Sequence, residues 1–357
     1  MEVSERESNM KVMEENGLSS FRNLSDIFRL RAWTMALVGP VAIWYFSIFY
    51  LSIVTGFRFS IYSVLEILFS VILYEANIVI LDDIFDREVD KAAQKPGRVR
   101  GHNLSLGVMF SLVIITAATS GLLVLLAGGT WMLYATWVLA YVTGVSYSTP
   151  PIRLKNRGIW SLVCNVLLER PFPVLIICLF FQYYGPELIL FPILSELVWS
   201  VFKHQVHDVE SDAKAGVTTY AVKLGRDLSY KIVKFGINPI GATSIFAFAV
   251  ISALAMRGYS TVFLVSIALM LVGTIVATLL ERRSIVYSDP LDPPYSMFLN
   301  IAFLVLVLLP LGLIVVIENL AYIPVFLLFA LALVQNLREY KPAIRKALRL
   351  VSRERNR

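Results

Sequence analysis

Cysteine and charge are both scarce in this chain. Its two cysteines, Cys164 and Cys178, fall in one apolar segment, so they offer neither a disulfide framework nor metal-ligand spacing, and packing is their expected use. Charged residues make up 16% of the 357 positions and hydrophobic ones 57%, with a mean hydropathy of +0.70. That is too little polar material for a soluble domain of this length, which leaves a polytopic membrane protein. Acids are outnumbered, giving a net charge of +6. No groove-reading or base-stacking module accompanies that charge, and no nucleic-acid partner is expected. The first thirty residues hold many charges but no apolar core and no small-residue cleavage site. They are expected to form a solvated tail or surface helix rather than a signal peptide.

What the chain has instead is long apolar runs. Ten can be placed, at Arg31–Gly56, Phe59–Leu81, Leu104–Ala127, Thr130–Tyr147, Ile159–Phe181, Leu188–Phe202, Phe235–Met256, Thr261–Leu280, Met297–Ile317 and Leu320–Leu337. The sixth is short and carries Glu196 and Trp199. The expected fold is therefore all-α: a polytopic bundle of nine to ten transmembrane helices around a central cavity. Connections alternate between short uncharged turns and longer loops with several Lys and Arg, namely Asp82–Asn103, Ser148–Gly158, His204–Lys234 and Glu281–Ser296. Threading the helices puts the basic loops and both termini on one side, and the positive-inside rule makes that side cytoplasmic. The cavity is expected to open there, with residues 1–30 and 339–357 as cytoplasmic tails around a membrane domain at 31–338. The cell membrane is the expected location, with the bilayer as a partner.

Two acidic clusters interrupt this pattern, each at the cytoplasmic end of an apolar run. Asp82-Asp83-Ile84-Phe85-Asp86-Arg87-Glu88-Val89-Asp90 sets Asp83, Asp86 and Asp90 on one helical face. Asp208 and Asp212 stand one turn apart further on. A row of acids repels itself unless a cation joins it, and a hard divalent ion suits carboxylate oxygens. One Mg²⁺ site built from both halves is the expectation. A solvated acidic loop paired with Arg87 and Lys91 is the alternative for the first cluster. His204 and His207 could join Asp208 around zinc, but no third strong ligand stands at a recognisable spacing.

Basic groups follow the acids. Lys95 and Arg98 come after the first cluster, and Arg153, Lys155 and Arg157 after Tyr147-Ser148-Thr149-Pro150-Pro151. Topology explains most of them, yet carboxylates for Mg²⁺ beside cations for phosphate suit a diphosphate leaving group. Glu169-Arg170, inside the fifth run, are ionisable residues at membrane depth. They are expected to pair with each other or with Glu75, for function or for structure, and Glu75 and Asn77 are expected to face the cavity.

These residues carry a resemblance. Asp82 to Asp90 resembles the first aspartate motif, NDxxDxxxD, of the UbiA superfamily of intramembrane prenyltransferases, and Lys95-Pro96-Gly97-Arg98 the basic stretch after it. Tyr147-Ser148-Thr149-Pro150-Pro151-Ile152-Arg153-Leu154-Lys155 is similar to the family's YSxPPxxLK loop. Asp208-Val209-Glu210-Ser211-Asp212, with Gly216, Thr219 and Leu224-Gly225, resembles the second motif. The chain departs from the pattern at Asp82, where Asn is usual, at Gln205, where many members carry an acid, and at Val99, where proline is frequent. Nine crossings are typical, one fewer than the runs counted above.

The resemblance implies Mg²⁺-dependent transfer of a polyprenyl group from a prenyl diphosphate to an aromatic or lipid-like acceptor. The implied metal ligands are Asp82, Asp83, Asp86, Asp90, Asp208 and Asp212. Lys95, Arg98, Arg153 and Lys155 would hold the diphosphate. Asp83, Asp86, Asp208 and Lys155 would carry catalysis, with Tyr147 shielding the allylic cation by a cation–π contact. A UbiA-type terpene cyclase would use the same site without an acceptor. A cation transporter would instead need its acids nearer the bilayer midplane.

Overall fold

Inside a bilayer every backbone N–H and C=O must be satisfied within its own segment, so the apolar runs fold as helices. A computed structural model of the chain describes residues 40–92, 105–185, 190, 192–193, 201–255, 258–283, 298–299, 301–335 and 337–338. Among these, the only extended pairing is an isolated bridge between Gly158 and Thr219.

Helix α1 (Pro40–Val54) is apolar on every side and lies in the middle of the bundle. Its Phe46 packs 5.9 Å from Phe303, and Phe49 meets Phe329 edge-on at 5.8 Å. Helix α2 (Ile61–Ala92) has 32 residues. At 1.5 Å per residue it is about 48 Å long, well beyond a hydrocarbon core of roughly 30 Å. Asp82 therefore stands about 32 Å along the axis from Ile61, where an apolar slab would end. The second apolar run was expected to stop at Leu81 with the acids on a helical face beyond it, and the helix continues unbroken through them.

Helix α3 (Leu106–Ala127) starts at Ser105, whose hydroxyl accepts from the Val108 N–H, and runs back along α2. It buries only Met109, Thr116, Ser120 and Val124, while Ile114, Leu122 and Leu125 are exposed, as lipid-facing side chains are. Polar contacts fasten the two helices. The Ser70 and Ser120 hydroxyls each reach the other's carbonyl oxygen at 3.0 Å, and Trp137 Nε1 donates to Ser120 Oγ at 3.0 Å. Asn77 donates to the Val113 carbonyl and, at 2.9 Å, to Thr116 Oγ1. Its amide thus belongs to the α2–α3 seam, not to the cavity expected for it.

Helix α4 (Trp131–Ser148) approaches α2 at Gly144, where a Cβ would run into the Ile78 side chain. The fifth run divides into α5 (Ile159–Glu169) and α6 (Pro171–Phe180). Proline disfavours the helical conformation in the residue before it, and Arg170 adopts φ −131°, ψ −58° at the break. The stretch expected as a loop after His204 is mostly helical: α7 (Val201–His207), α8 (Val209–Lys214), α9 (Tyr220–Leu224) and α10 (Arg226–Ile232). A π-helical turn leads into α11 (Asn238–Ala255), followed by α12 (Ser260–Arg283). A second π-helical turn, Phe303–Leu308, precedes α13 (Leu309–Glu318), and an apolar helix at Leu320–Gln335 follows.

Among the described residues, three stretches, Ile61–Arg87, Leu106–Ala127 and Ile159–Phe180, are long and apolar enough to cross a membrane. Val41–Val54, Thr261–Val276, Phe303–Glu318 and Leu320–Gln335 are shorter apolar helices. Most of the sixth expected run, and both tails, lie outside the described residues.

Candidate functional site

The site is assembled where α2 emerges from its apolar stretch and meets the loop after α4. That loop turns at Pro150-Pro151, whose shared peptide bond is cis, and passes Arg153 in the left-handed region at φ 36°. Backbone bonds from Arg153 N to Thr149 O (2.9 Å) and from Asn156 N to Arg153 O (3.1 Å) hold the turn closed. It presents two cations to two carboxylates one helical turn apart. Lys155 Nζ donates to Asp82 Oδ1 at 2.7 Å and also to Asp86 Oδ2. Arg153 Nη2 donates to Asp86 Oδ1 at 2.9 Å and to the Phe85 carbonyl at 3.2 Å. Ser148, the last residue of α4, donates to Asp82 Oδ1 at 3.0 Å.

Lys155, Asp83 and Asp86 are buried, and Asp82 is half-buried. Burial works against the charge on Lys155, but the carboxylates of Asp82 and Asp86 prevail and hold its pKa above the usual lysine value. The ammonium is therefore firmly charged at neutral pH. Tyr147 is half-buried within electrostatic reach of Asp82 and Asp86.

The second acidic pair sits at the start of α8. Asp208 precedes that helix, and the Asp212 N–H donates to its carbonyl at 2.8 Å, so the expected one-turn spacing is present. This region is tied to the loop bearing Lys155. The Gly158 N–H donates to the Thr218 carbonyl at 3.1 Å, and Gln205 Nε2 donates to Ser161 Oγ at 3.0 Å. Gly158 has φ +60°, and a Cβ there would meet the Lys223 side chain. Both halves of the chain thus converge on residues 155–161.

Lys95, Arg98 and the side chain of Asp90 lie outside the described residues. His204 and His207 are exposed. Among the described residues no three carboxylate, imidazole or thiol groups converge as a preformed metal cage. The observed carboxylates suit a different kind of ion. Asp82 and Asp86 already embrace a cation, the Lys155 ammonium, and their hard oxygens match Mg²⁺, which keeps waters and substrate phosphates among its ligands. Sequence reasoning missed Ser148 and Ser161 as partners of the site, since a serine at a helix end carries no signal of its own. Of the expected ligands, Asp82 and Asp86 share Lys155.

The sequence profile of the UbiA prenyltransferase family matches residues 42–302. A lycopene elongase/hydratase of Halobacterium salinarum is 28% identical over 213 residues, covering 58% of this chain and 73% of that protein. One from Haloferax volcanii is 26% identical over 173 residues, 46% of this chain and 54% of that protein. Among solved structures, a UbiA homolog from Archaeoglobus fulgidus aligns with a TM-score of 0.54 at 17% identity, covering 85% of this chain and 99% of that one. The same homolog bound to GPP and Mg²⁺ aligns with a TM-score of 0.52 at 17% identity, covering 82% and 99%. At such identities the likeness establishes the fold.

Proposed function

Because the chain belongs to the UbiA prenyltransferase family, we propose that it transfers a polyprenyl group from a prenyl diphosphate to an aromatic or lipid-like acceptor, releasing diphosphate in a Mg²⁺-dependent reaction within the bilayer. The observation that carries this reading is the pairing of Lys155 and Arg153 with Asp82 and Asp86 at the polar end of a long apolar helix. The relatives named lycopene elongase/hydratase make a long polyene the first acceptor to test.

In this reading Asp82, Asp83, Asp86, Asp90, Asp208 and Asp212 would hold Mg²⁺. When bound, it would supply charge neutralisation for the departing diphosphate. Lys155 and Arg153, joined by Lys95 and Arg98, turn from carboxylate to phosphate oxygens and stabilise the negative charge that builds as the C1–O bond breaks. Ser148 keeps Asp82 oriented through that exchange. The Tyr147 ring offers its face to the allylic cation. The surrounding apolar helices exclude water and accept the prenyl tail.

The same reading gives nine to ten crossings, a cavity open to the cytoplasm, a membrane domain at 31–338 between cytoplasmic tails, and residence in the cell membrane. The support for this topology is the one-sided distribution of Lys and Arg. The test is to reconstitute the full chain in liposomes with Mg²⁺, labelled dimethylallyl or geranylgeranyl diphosphate, and an acceptor panel of lycopene, a quinone precursor and a glycerol phosphate lipid. A prenylated acceptor identified by mass, with matching diphosphate release, is the expected result. A cyclic hydrocarbon formed from the donor alone would make the protein a cyclase. No diphosphate release with any donor would refute the reading.

A further inference from the structure

Two turns below the carboxylates of the site, the same face of α2 carries another acid. Glu75 precedes Asp82 by seven residues and Asp86 by eleven, so they project about 20° to either side of it. The axial rise puts Glu75 about 10 Å deeper than Asp82, at membrane depth. Its side chain is only 9% exposed, and its Oε1 is buried without a hydrogen-bond partner. Arg170 reaches this level from the break between α5 and α6, where Pro171 ends the helical path, and is 1% exposed. Arg170 is within electrostatic range of Glu75 and of Glu169, and the two acids are within range of each other. Tyr147 lies within range of Glu169 as well as of Asp82 and Asp86, which connects this level to the site above.

Among the described groups in range of one another here, the charges do not cancel. One guanidinium faces two carboxylates, and a purely structural pair would need only one. An uncompensated carboxylate at this depth is unfavourable unless positive charge or a proton arrives. The transfer reaction supplies both. As the C1–O bond breaks, its electron pair leaves with the diphosphate. The acceptor's π electrons form the new C–C bond, which leaves positive charge on the acceptor. That charge is discharged when a C–H bond gives its electron pair back to the carbon skeleton and its proton leaves. A donor with its diphosphate at Asp82 and Asp86 and its tail along α2 places the new bond between those residues and Glu75.

We propose that Glu75 is the catalytic base that takes the proton from the prenylated acceptor, with Arg170 as the positioning residue that favours its ionised form and aims it. This rests on the prenyl-transfer reading above. It also narrows the acceptor to one that reacts at carbon and bears a removable C–H.

The experiment compares prenylated product with diphosphate released, in liposomes with Mg²⁺, labelled dimethylallyl diphosphate and whichever panel acceptor the wild type uses. In Glu75→Gln the ratio of product to diphosphate should fall on the order of 10²-fold, as expected on loss of a general base, with the donor's carbon emerging as prenyl alcohol. Glu75→Asp, which keeps the charge beside Arg170, should recover much of that ratio and serves also if the glutamine variant folds poorly. A structural role would lower product and diphosphate together, and an unchanged ratio in Glu75→Gln overturns the assignment. A wild type that releases no diphosphate with any acceptor overturns the parent function, and this role with it.

Discussion

Asp82 and Asp86 differ in how they hold their cations, and the difference predicts unequal consequences when each is replaced by its amide. Asp82 gathers two contacts on one oxygen: Oδ1 accepts from Ser148 at 3.0 Å and from Lys155 at 2.7 Å. An asparagine retains one such oxygen, so Asp82→Asn can keep these two bonds, and it matches the residue usual in the family. Asp86 uses both oxygens, Oδ1 for Arg153 and Oδ2 for Lys155. In Asp86→Asn one cation must face an amide NH₂, which repels it. The Asp86 side chain is also the drier, 10% exposed against 23% for Asp82, so less solvent compensates the loss. Removing a principal electrostatic stabiliser of this kind costs about 10²-fold or more in rate, or about 2.7 kcal/mol. Asp82→Asn should stay within about tenfold of wild type, or about 1.4 kcal/mol. The assay is initial diphosphate release in liposomes across a Mg²⁺ titration, where added Mg²⁺ should rescue Asp86→Asn only in part. Equal losses, or a larger loss for Asp82→Asn, would refute the reasoning.

Activity should vanish in EDTA and return with Mg²⁺ or Mn²⁺, while a zinc-selective chelator leaves it intact; the opposite pattern would restore His204 and His207 as ligands. A cysteine at Lys214 should react with an impermeant reagent only from the cytoplasmic face, and labelling from outside intact cells would overturn the topology. Lys155 has a raised pKa in the folded chain, so its stabilisation is complete below the unfolded lysine value of about 10.4 and fades as pH climbs through the higher folded value. The Tm difference between wild type and Lys155→Met should therefore hold constant from about pH 6 to 9; a difference that shrinks in that interval contradicts the burial of the pair. Ser120→Ala removes the acceptor of Trp137 Nε1 and the clasp with Ser70, and should destabilise the detergent-solubilised protein by about 0.6–2 kcal/mol in a thermal unfolding assay, with no change at all as the adverse outcome.

Local chemistry in the sequence was enough for part of this molecule. Apolar runs of spanning length dictate helices wherever water is absent, because nothing but the helix itself can satisfy their backbone groups. Acids at one-turn spacing after such a run mark a polar end that attracts cations, and that pattern needs no knowledge of the rest of the fold. Even the break at Arg170 is foreshadowed by Pro171, through a constraint that acts on the neighbouring residue alone.

Contacts across the sequence were another matter, because they depend on which helix faces come together. Side-chain rows on α2 offered several groupings of its acids, and only the path of the loop after α4 selected Asp82 and Asp86, bringing Lys155 from 73 and 69 residues away. Asn77 read as a cavity residue until α3 supplied the carbonyl of Val113 and the hydroxyl of Thr116. Arg170 was expected to meet Glu169 or Glu75, and it lies within range of both because the broken fifth run packs beside α2. Periodicity states which residues share a face; the packing of helices decides what that face meets, and so which charges remain to be balanced by a substrate.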